Sequence, residues 1–260
     1  MIEESNHSWN VTPKEAIEIQ KRLRDQVRIE SFEAVHGPID GIRYIAAADV
    51  SMNLYSNTVY AGFVILSWPD LRLVDHEVVK ATTKFPYVPG LLSFREIPAL
   101  MEAWQRLLNK QKRNVAAGRP VHKPELIIVD GMGIAHPRRI GIASHLGVML
   151  DIPTIGSAKS LLTGVHAEPG NEASDFAYLY EKNSMNKAND EKEVIGAVMR
   201  TKRNVKPIYV SPGHRINLTE SMRIISACIR RHRLPDPIRA AHDMVNAYRK
   251  GEMGEGKLAM

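Results

Sequence analysis

Apolar residues recur at helical spacing from position 13 to about 35, where Ala16, Ile19, Leu23 and Val27 fall on one stripe. Thr12-Pro13 supplies the chemistry that opens a helix, so a covering helix is predicted here. The pattern then changes to β-rich runs at 42–51, 58–68 and 71–81, the last two joined by Trp68-Pro69-Asp70. That tripeptide is turn chemistry, and three such runs in succession predict an antiparallel meander. Pro86-Tyr87-Val88-Pro89-Gly90 reads as a rigid loop, because its prolines lack N–H donors and restrict the residues before them. Beyond Glu96, Pro98 suits a first helical position, and Ile97, Leu100, Met101, Trp104, Leu107 and Leu108 make one apolar face. The Lys-, Arg- and Gly-rich stretch from Asn109 to Lys123 reads as an exposed basic loop or extension, either a solvated excursion or a nucleic-acid contact.

The second half alternates. A strand is expected at 125–130, a helix from about Arg138 to Leu150, a short strand at Thr154-Ile155 and strands at 193–201 and 207–211. A helix from 218 to about 232 follows, opened by the capping pair Asn217 and Glu220. Residues 166–191 are polar and read as a long surface loop with some helix. Antiparallel strands followed by helix–strand alternation predict a single mixed α/β domain. Its core spans about 12–248, with a basic insertion at 109–123 and a flexible tail at 249–260.

Composition narrows the setting. A chain of 260 residues with 44% apolar content can bury a sizeable core. A formal charge of +6 favours polyanionic partners, although charge speaks to attraction rather than to a particular activity. The single cysteine, Cys228, has no intrachain partner and sits among Ile224, Ile225 and Ile229 as helix core would. Glu3, Glu4, Asn6 and His7 occupy the place of a signal sequence's apolar stretch, and His145, Asp151 and Pro153 break the most apolar region, Ile140 to Ile155. The expectation is a soluble, cytoplasmic monomer with no membrane partner.

Chemistry concentrates at element ends. Asp49 lies near the end of one expected strand, and Asp130 closes Leu126-Ile127-Ile128-Val129. Open sheets place ligand sites at the carboxyl ends of such strands. Together with Glu96 and His214 they make a donor set of three carboxylates and one imidazole. Alone, each acid is a cap or a surface charge; as a set they suit magnesium, or manganese in its place, and phosphodiester hydrolysis. Zinc fits poorly without cysteines or an HExxH pair. Lys159 is either an exposed lysine opening a helix or a cation that neutralises a phosphate. Its surroundings lack the glycines of a phosphate-binding loop, and Gly131-Met132-Gly133 lacks the third glycine of a dinucleotide fingerprint. Arg138 and Arg139, after His136-Pro137, either form a structural turn or hold a DNA phosphate at a helix amino terminus. Tyr87, stiffened by Pro86 and Pro89, has the profile of a wedge that enters a base stack.

Taken together these stretches resemble the endonuclease V family, the nucleases that repair deaminated bases. The resemblance rests on Ala48-Asp49-Val50-Ser51, on 86–96 (PYVPGLLSFRE) and on 129–139 (VDGMGIAHPRR), continuing through 155–162 (IGSAKSLL) and 209–215 (YVSPGHR). It covers roughly residues 15 to 245. It implies a ribonuclease H-like fold, a metal site on Asp49, Glu96 and Asp130 supported by Lys159 and His214, and a wedge at Tyr87. The implied reaction cuts the second phosphodiester 3′ to an inosine, leaving a 3′-hydroxyl and a 5′-phosphate. The lesion pocket is implied to draw on the backbone of Gly131 to Gly133, since hypoxanthine differs from adenine in its carbonyl at position 6 and its proton on N1. The chain departs from the family in a longer stretch at 109–123, and in Met132 and Ser144, where a more polar residue and often a cysteine are expected. Two alternatives stand beside deaminated DNA as substrate: an endoribonuclease acting on inosine in RNA, and a non-catalytic nucleic-acid-binding relative.

Overall fold

Thr12 closes a capping box with Glu15 and so opens helix α1 (Pro13–Arg24), which ends well short of the expected residue 35. After an extended segment, Ser31 caps a second, short helix, α2 (Phe32–His36). The meander follows: β1 (Tyr44–Met52), β2 (Thr58–Ser67) and β3 (Leu73–Thr82), paired antiparallel as their alternation predicts. The computed structural model describes residues 7–53, 56–184 and 192–252. Glu3, Glu4, Asn6, residues 185–191 of the expected loop and 253–260 of the expected tail lie outside the described residues.

Helix α3 (Ser93–Ala116) begins three residues before Glu96 and holds Pro98 inside it, not at its first position. As the sixth residue of the helix, Pro98 has no N–H to give the Phe94 carbonyl, so one bond of the second turn is missing. The helix also continues through the first half of the expected basic loop. Its apolar stripe extends to Leu107, with Gln111 buried beyond it, and Lys110 bonds Asp75 of β3 at 2.5 Å. The exposed basic tip therefore sits about 30 Å along the helix from Glu96.

The rest of the chain supplies β4 (Leu126–Asp130), α4 (Ile142–Leu150), β5 (Thr154–Ala158), β6 (Phe176–Tyr180), β7 (Val194–Met199), β8 (Ile208–His214), α5 (Leu218–Ala227) and α6 (Asp236–Arg249). The sheet order is β3-β2-β1-β4-β5-β8-β7-β6, with β1, β4 and β5 parallel and the other pairs antiparallel. Alternation sorts the strands onto two cores. Ile45, Ala47, Ile128 and Ile155 face Ile224, Ile238 and Val245 of α5 and α6. Ala46, Ala48, Ile127 and Val129 face Ile97, Leu100 and Leu146 of α3 and α4. Burying a side chain such as Ile128 contributes about 2 kcal/mol. This is an α/β ribonuclease H-like architecture, a mixed sheet flanked by helices, and the parallel strands all present their carboxyl ends at one edge.

Two local devices fix the connections around the sheet. Glu220, in the first turn of α5, accepts hydrogen bonds from Ser31 Oγ (2.7 Å), Phe32 N (2.7 Å) and Glu33 N (3.1 Å), so one carboxylate caps α2 as well as its own helix. The loop after β4 lies so close to β8 that a Cβ on Gly133 would stand 1.9 Å from the Pro212 carbonyl oxygen. Only glycine fits there.

Candidate active site

The parallel ladder pairs Ala48 with Val129, which sets the next residues, Asp49 and Asp130, side by side on the α6 face. Glu96 reaches them from the first turn of α3, and the three carboxylates line a cavity of about 190 Å³. Asp49 is buried, with 7% of its surface exposed, and Glu96 and Asp130 are partly so. Burial comes first among the causes that push the Glu96 carboxyl up to about 8; the charges of Asp49 and Asp130 add to it, and Arg95 opposes. Asp49 is raised for the same two reasons, burial and then Asp130, while a hydrogen bond from His242 pulls the other way. Three acids crowded until one holds its proton near neutrality form a site short of positive charge. A hard divalent cation fits that donor set.

A lysine and a histidine border the acids. Lys159, one residue past β5, places Nζ 2.5 Å from Asp130 Oδ2. His242, on α6, places Nδ1 2.8 Å from Asp49 Oδ2. Ligand atoms of Asp49, Asp130 and His242 all lie within 4.8 Å of one another.

His214 does not join them. It pairs with Thr154, the first residue of β5, whereas the acids sit at the other end of the parallel strands. Asp130 pairs with Ser157, three residues further along β5, a separation of about 10 Å along the strand. Its ring is buried, Nδ1 accepts from Arg28 N (3.3 Å) and Nε2 faces Asp151 Oδ1 (3.4 Å). The strand expected at 207–211 runs on through Pro212 and Gly213 and carries His214 to the far edge. The imidazole at the carboxylates belongs to His242, a residue the sequence reading passed over. The signal for it is a polar i, i+4 pair, His242 and Asn246, on a helix whose other faces follow an amphipathic pattern.

Beside the acids is a second cavity, of about 360 Å³, bounded by Tyr87 and Pro89 of the proline loop, Gly131 and Met132 after β4, and Leu162; it shares Glu96 and Asp130. Tyr87 is 65% exposed at its rim, between the exposed Pro86 and Pro89. Within the post-β4 loop, Gly133 N donates to Ser211 Oγ (2.8 Å), Met132 O accepts from Ala143 N (3.0 Å) and Gly133 O from Gly141 N (2.9 Å). Gly131 C=O and Met132 N–H have no hydrogen-bond partner among the described residues.

The expected phosphate contacts are occupied otherwise. Gly90 O accepts from Gln20 Nε2 (3.1 Å), Arg138 Nη2 (2.6 Å) and His136 Nε2 (3.0 Å), and Arg138 Nε also donates to Gln20 Oε1. His136 is buried, and its acidity is shifted to about 4 by burial, then by Arg138, against the Gly90 bond. Its ring is neutral, with Nδ1 accepting from Arg138 N (3.2 Å) and Nε2 carrying the proton toward Gly90. His136 and Arg138 therefore clamp the proline loop to the post-β4 loop, while Arg139 pairs with Glu193 at 2.9 Å. These contacts are those of a structural turn, although Arg138 keeps its charge because its partners are neutral oxygens.

Comparison with known proteins agrees with this geometry. A family model described as endonuclease V matches residues 21–243. A relative named endonuclease V from Gloeobacter violaceus is 43% identical over 94% of this chain and 89% of its own length. Among solved structures, endonuclease V from Streptomyces avermitilis superposes with a TM-score of 0.77 at 33% identity, covering 95% of this chain and 97% of that one. The catalytic domain of human endonuclease V gives 0.79 at 30% identity, covering 93% and 98%. The Ciona intestinalis enzyme, solved in complex with an inosine-containing DNA, gives 0.75 at 27% identity over 92% and 98%.

Proposed function

The chain belongs to the endonuclease V family and is a metal-dependent endonuclease, and we propose that it nicks DNA on the 3′ side of inosine, at the second phosphodiester, leaving a 3′-hydroxyl and a 5′-phosphate. The observation that carries this reading is the pairing of Asp49 and Asp130 with Glu96 beside a base-sized cavity. The raised pKa values of Glu96 and Asp49 support cation binding by these oxygens. Asp49, Asp130 and Glu96 would hold magnesium, for which manganese substitutes. When bound, the ion supplies Lewis-acid charge for the attacking water and the leaving oxygen.

The chain's own groups do the rest. Lys159 Nζ carries positive charge where the scissile phosphate meets Asp130, and offsets charge that grows on the phosphate oxygens. The exposed Tyr87 ring, on a loop pinned through Gly90 O, fills the gap left when a nucleotide leaves the stack. The cavity beside it takes the extruded base. The Gly131–Met132 backbone lines it, and a free N–H and C=O there would meet an acceptor and a donor. Hypoxanthine offers that complement in O6 and N1–H; adenine, with an amino group and a bare N1, offers the reverse. Mispaired donors and acceptors in a buried pocket cost about 1–3 kcal/mol each, enough for strong discrimination.

The test is incision of an end-labelled duplex with one inosine, with magnesium and with EDTA, beside an adenine control. A magnesium-dependent nick one nucleotide beyond the lesion is expected, and Asp49→Ala and Asp130→Ala should abolish it without unfolding the chain. Tight binding with no nick would replace this reading with that of a non-catalytic relative.

A further inference from the structure

His242 belongs to a hydrogen-bonded chain of four side chains that runs from Asp49 to Ser51. Two of its members, Asp49 and Ser51, are two apart on β1; the other two, His242 and Asn246, are four apart on α6. Both pairs therefore present their side chains in the same direction. The links are His242 Nδ1 to Asp49 Oδ2 (2.8 Å), Asn246 Nδ2 to His242 Nε2 (3.0 Å) and Ser51 Oγ to Asn246 Oδ1 (2.9 Å).

The direction of every proton in this hydrogen-bonded chain follows from one contact. Asn246 Nδ2 lies 3.0 Å from the backbone carbonyl of His242, a group that can only accept. The amide nitrogen is therefore on that side, and its second hydrogen points at His242 Nε2. That ring nitrogen must accept, so the proton of the neutral imidazole sits on Nδ1 and is donated to Asp49 Oδ2. Asn246 Oδ1 is left facing Ser51, whose hydroxyl donates. A reversed amide would set Oδ1 against a carbonyl oxygen and leave Nε2 opposite an acceptor.

We propose that Asn246, held by Ser51, is a positioning residue for the proposed nuclease site. It fixes His242 as the Nδ1–H tautomer, so that the imidazole orients Asp49 by donating to Oδ2 and leaves the other carboxylate oxygen for the cation. Free neutral imidazole favours the Nε2–H form, which would turn a lone pair toward Asp49 and push the two groups apart. The hydrogen bond made by the second ring nitrogen decides which form prevails. Asn246 is only partly buried on a surface helix and His242 is about half exposed, so neither needs the other to fold.

This inference rests on the nuclease reading, and its first readout does not. Two-bond proton–nitrogen NMR spectra of the cation-free, ¹⁵N-labelled full chain at mildly alkaline pH report the His242 tautomer, assigned by the signal lost in His242→Gln. The wild type should give the Nδ1–H pattern. Asn246→Asp, which can accept from Nε2 but not donate to it, should give the Nε2–H pattern, and Asn246→Leu should move toward it. On inosine duplex with magnesium, both variants should lose about tenfold or more in kcat, as is common when a partner behind a metal site is removed, with KM within about twofold. Ser51→Ala should fall between them and the wild type. An Nε2–H wild type, an Asn246→Asp protein that keeps Nδ1–H, or switched tautomers with wild-type kcat would each overturn the proposal. A wild type with the expected tautomer but no nicking would instead sink the nuclease reading.

Discussion

Replacing Glu96 by Gln should stabilise the cation-free protein and inactivate it in one step. Its carboxyl ionises at about 8 in the fold against 4.5 in an unfolded chain. The folded state holds that proton more tightly, so the associated stability is complete below the unfolded value and drains away as pH climbs from 4.5 through about 8. At about 1.4 kcal/mol per tenfold in acidity the full loss would be about 5 kcal/mol. Part of the Glu96 surface opens on the cleft, where water screens the charge, so about 2 kcal/mol is a better expectation. Glutamine has no proton to lose and forfeits nothing. In EDTA, Glu96→Gln and wild type should therefore melt together near about pH 5, and the variant should melt about 4–8 °C higher near about pH 9. Magnesium should close the gap by stabilising the wild type alone, since the cation replaces the proton as counter-charge. Melting temperatures that run parallel from acid to alkali would refute the reasoning, because they would mean that the three acids do not strain one another.

Three further outcomes follow from contacts already described. His214→Ala should leave kcat near wild type while costing stability at the Arg28 and Asp151 contacts, whereas His242→Ala should lower kcat with little change in melting; the opposite pattern in nicking assays would restore His214 to the site. Tyr87→Ala should weaken binding of inosine duplex by about 1–3 kcal/mol in a gel-shift titration, with cation affinity unchanged by calorimetry. Glu220→Gln should cost about 2 kcal/mol in urea unfolding at neutral pH, since it disrupts the capping of two helices. Desolvation alone would raise the Glu220 pKa, but hydrogen bonds from Glu33, Phe32, Ser31 and Asn217 outweigh it and hold that pKa below the usual range. Its contribution is present above the unfolded value and lost as pH falls through the folded one, so the Gln variant's deficit should shrink in acid.

The parts of this fold written in local patterns were legible. Alternation at 44–52, 58–67 and 73–82 marks three strands almost to the residue, and the acids at 49, 96 and 130 stand out because each ends or opens an element. What failed required knowledge of distant partners. Gly213 and Pro212 look like a turn until the approach of Gly133 to the Pro212 carbonyl shows why a flat, glycine-bearing strand belongs there. Phe176, Tyr178 and Tyr180 have strand character, yet β6 was hidden in polar surroundings and on the sheet's outer edge, where burial does not enforce alternation. The helix at 236–249 was missed, and His242 with it, because nothing local ties α6 to β1. Local chemistry leaves Arg138 between a structural turn and a phosphate contact, and only the distant Gly90 carbonyl shows what it bonds in the fold. The basic run at 109–116 reads as loop because the apolar stripe stops at Leu107; buried Gln111 and the Lys110–Asp75 pair tie it to the fold.

The triple acceptance at Gly90 O has a kinetic consequence. A recognition loop tethered by Gln20, His136 and Arg138 to two separate parts of the chain has little freedom left with which to close on a ligand. On the proposed reading, the motion of lesion capture would then fall on the DNA. Such an enzyme would wait for a base to leave its stack by itself, and weakly paired bases leave most often. Selection would then begin in the breathing of the duplex, before any protein atom has touched the lesion, and searching speed would depend on how often each base pair opens as much as on how tightly the pocket holds what it receives.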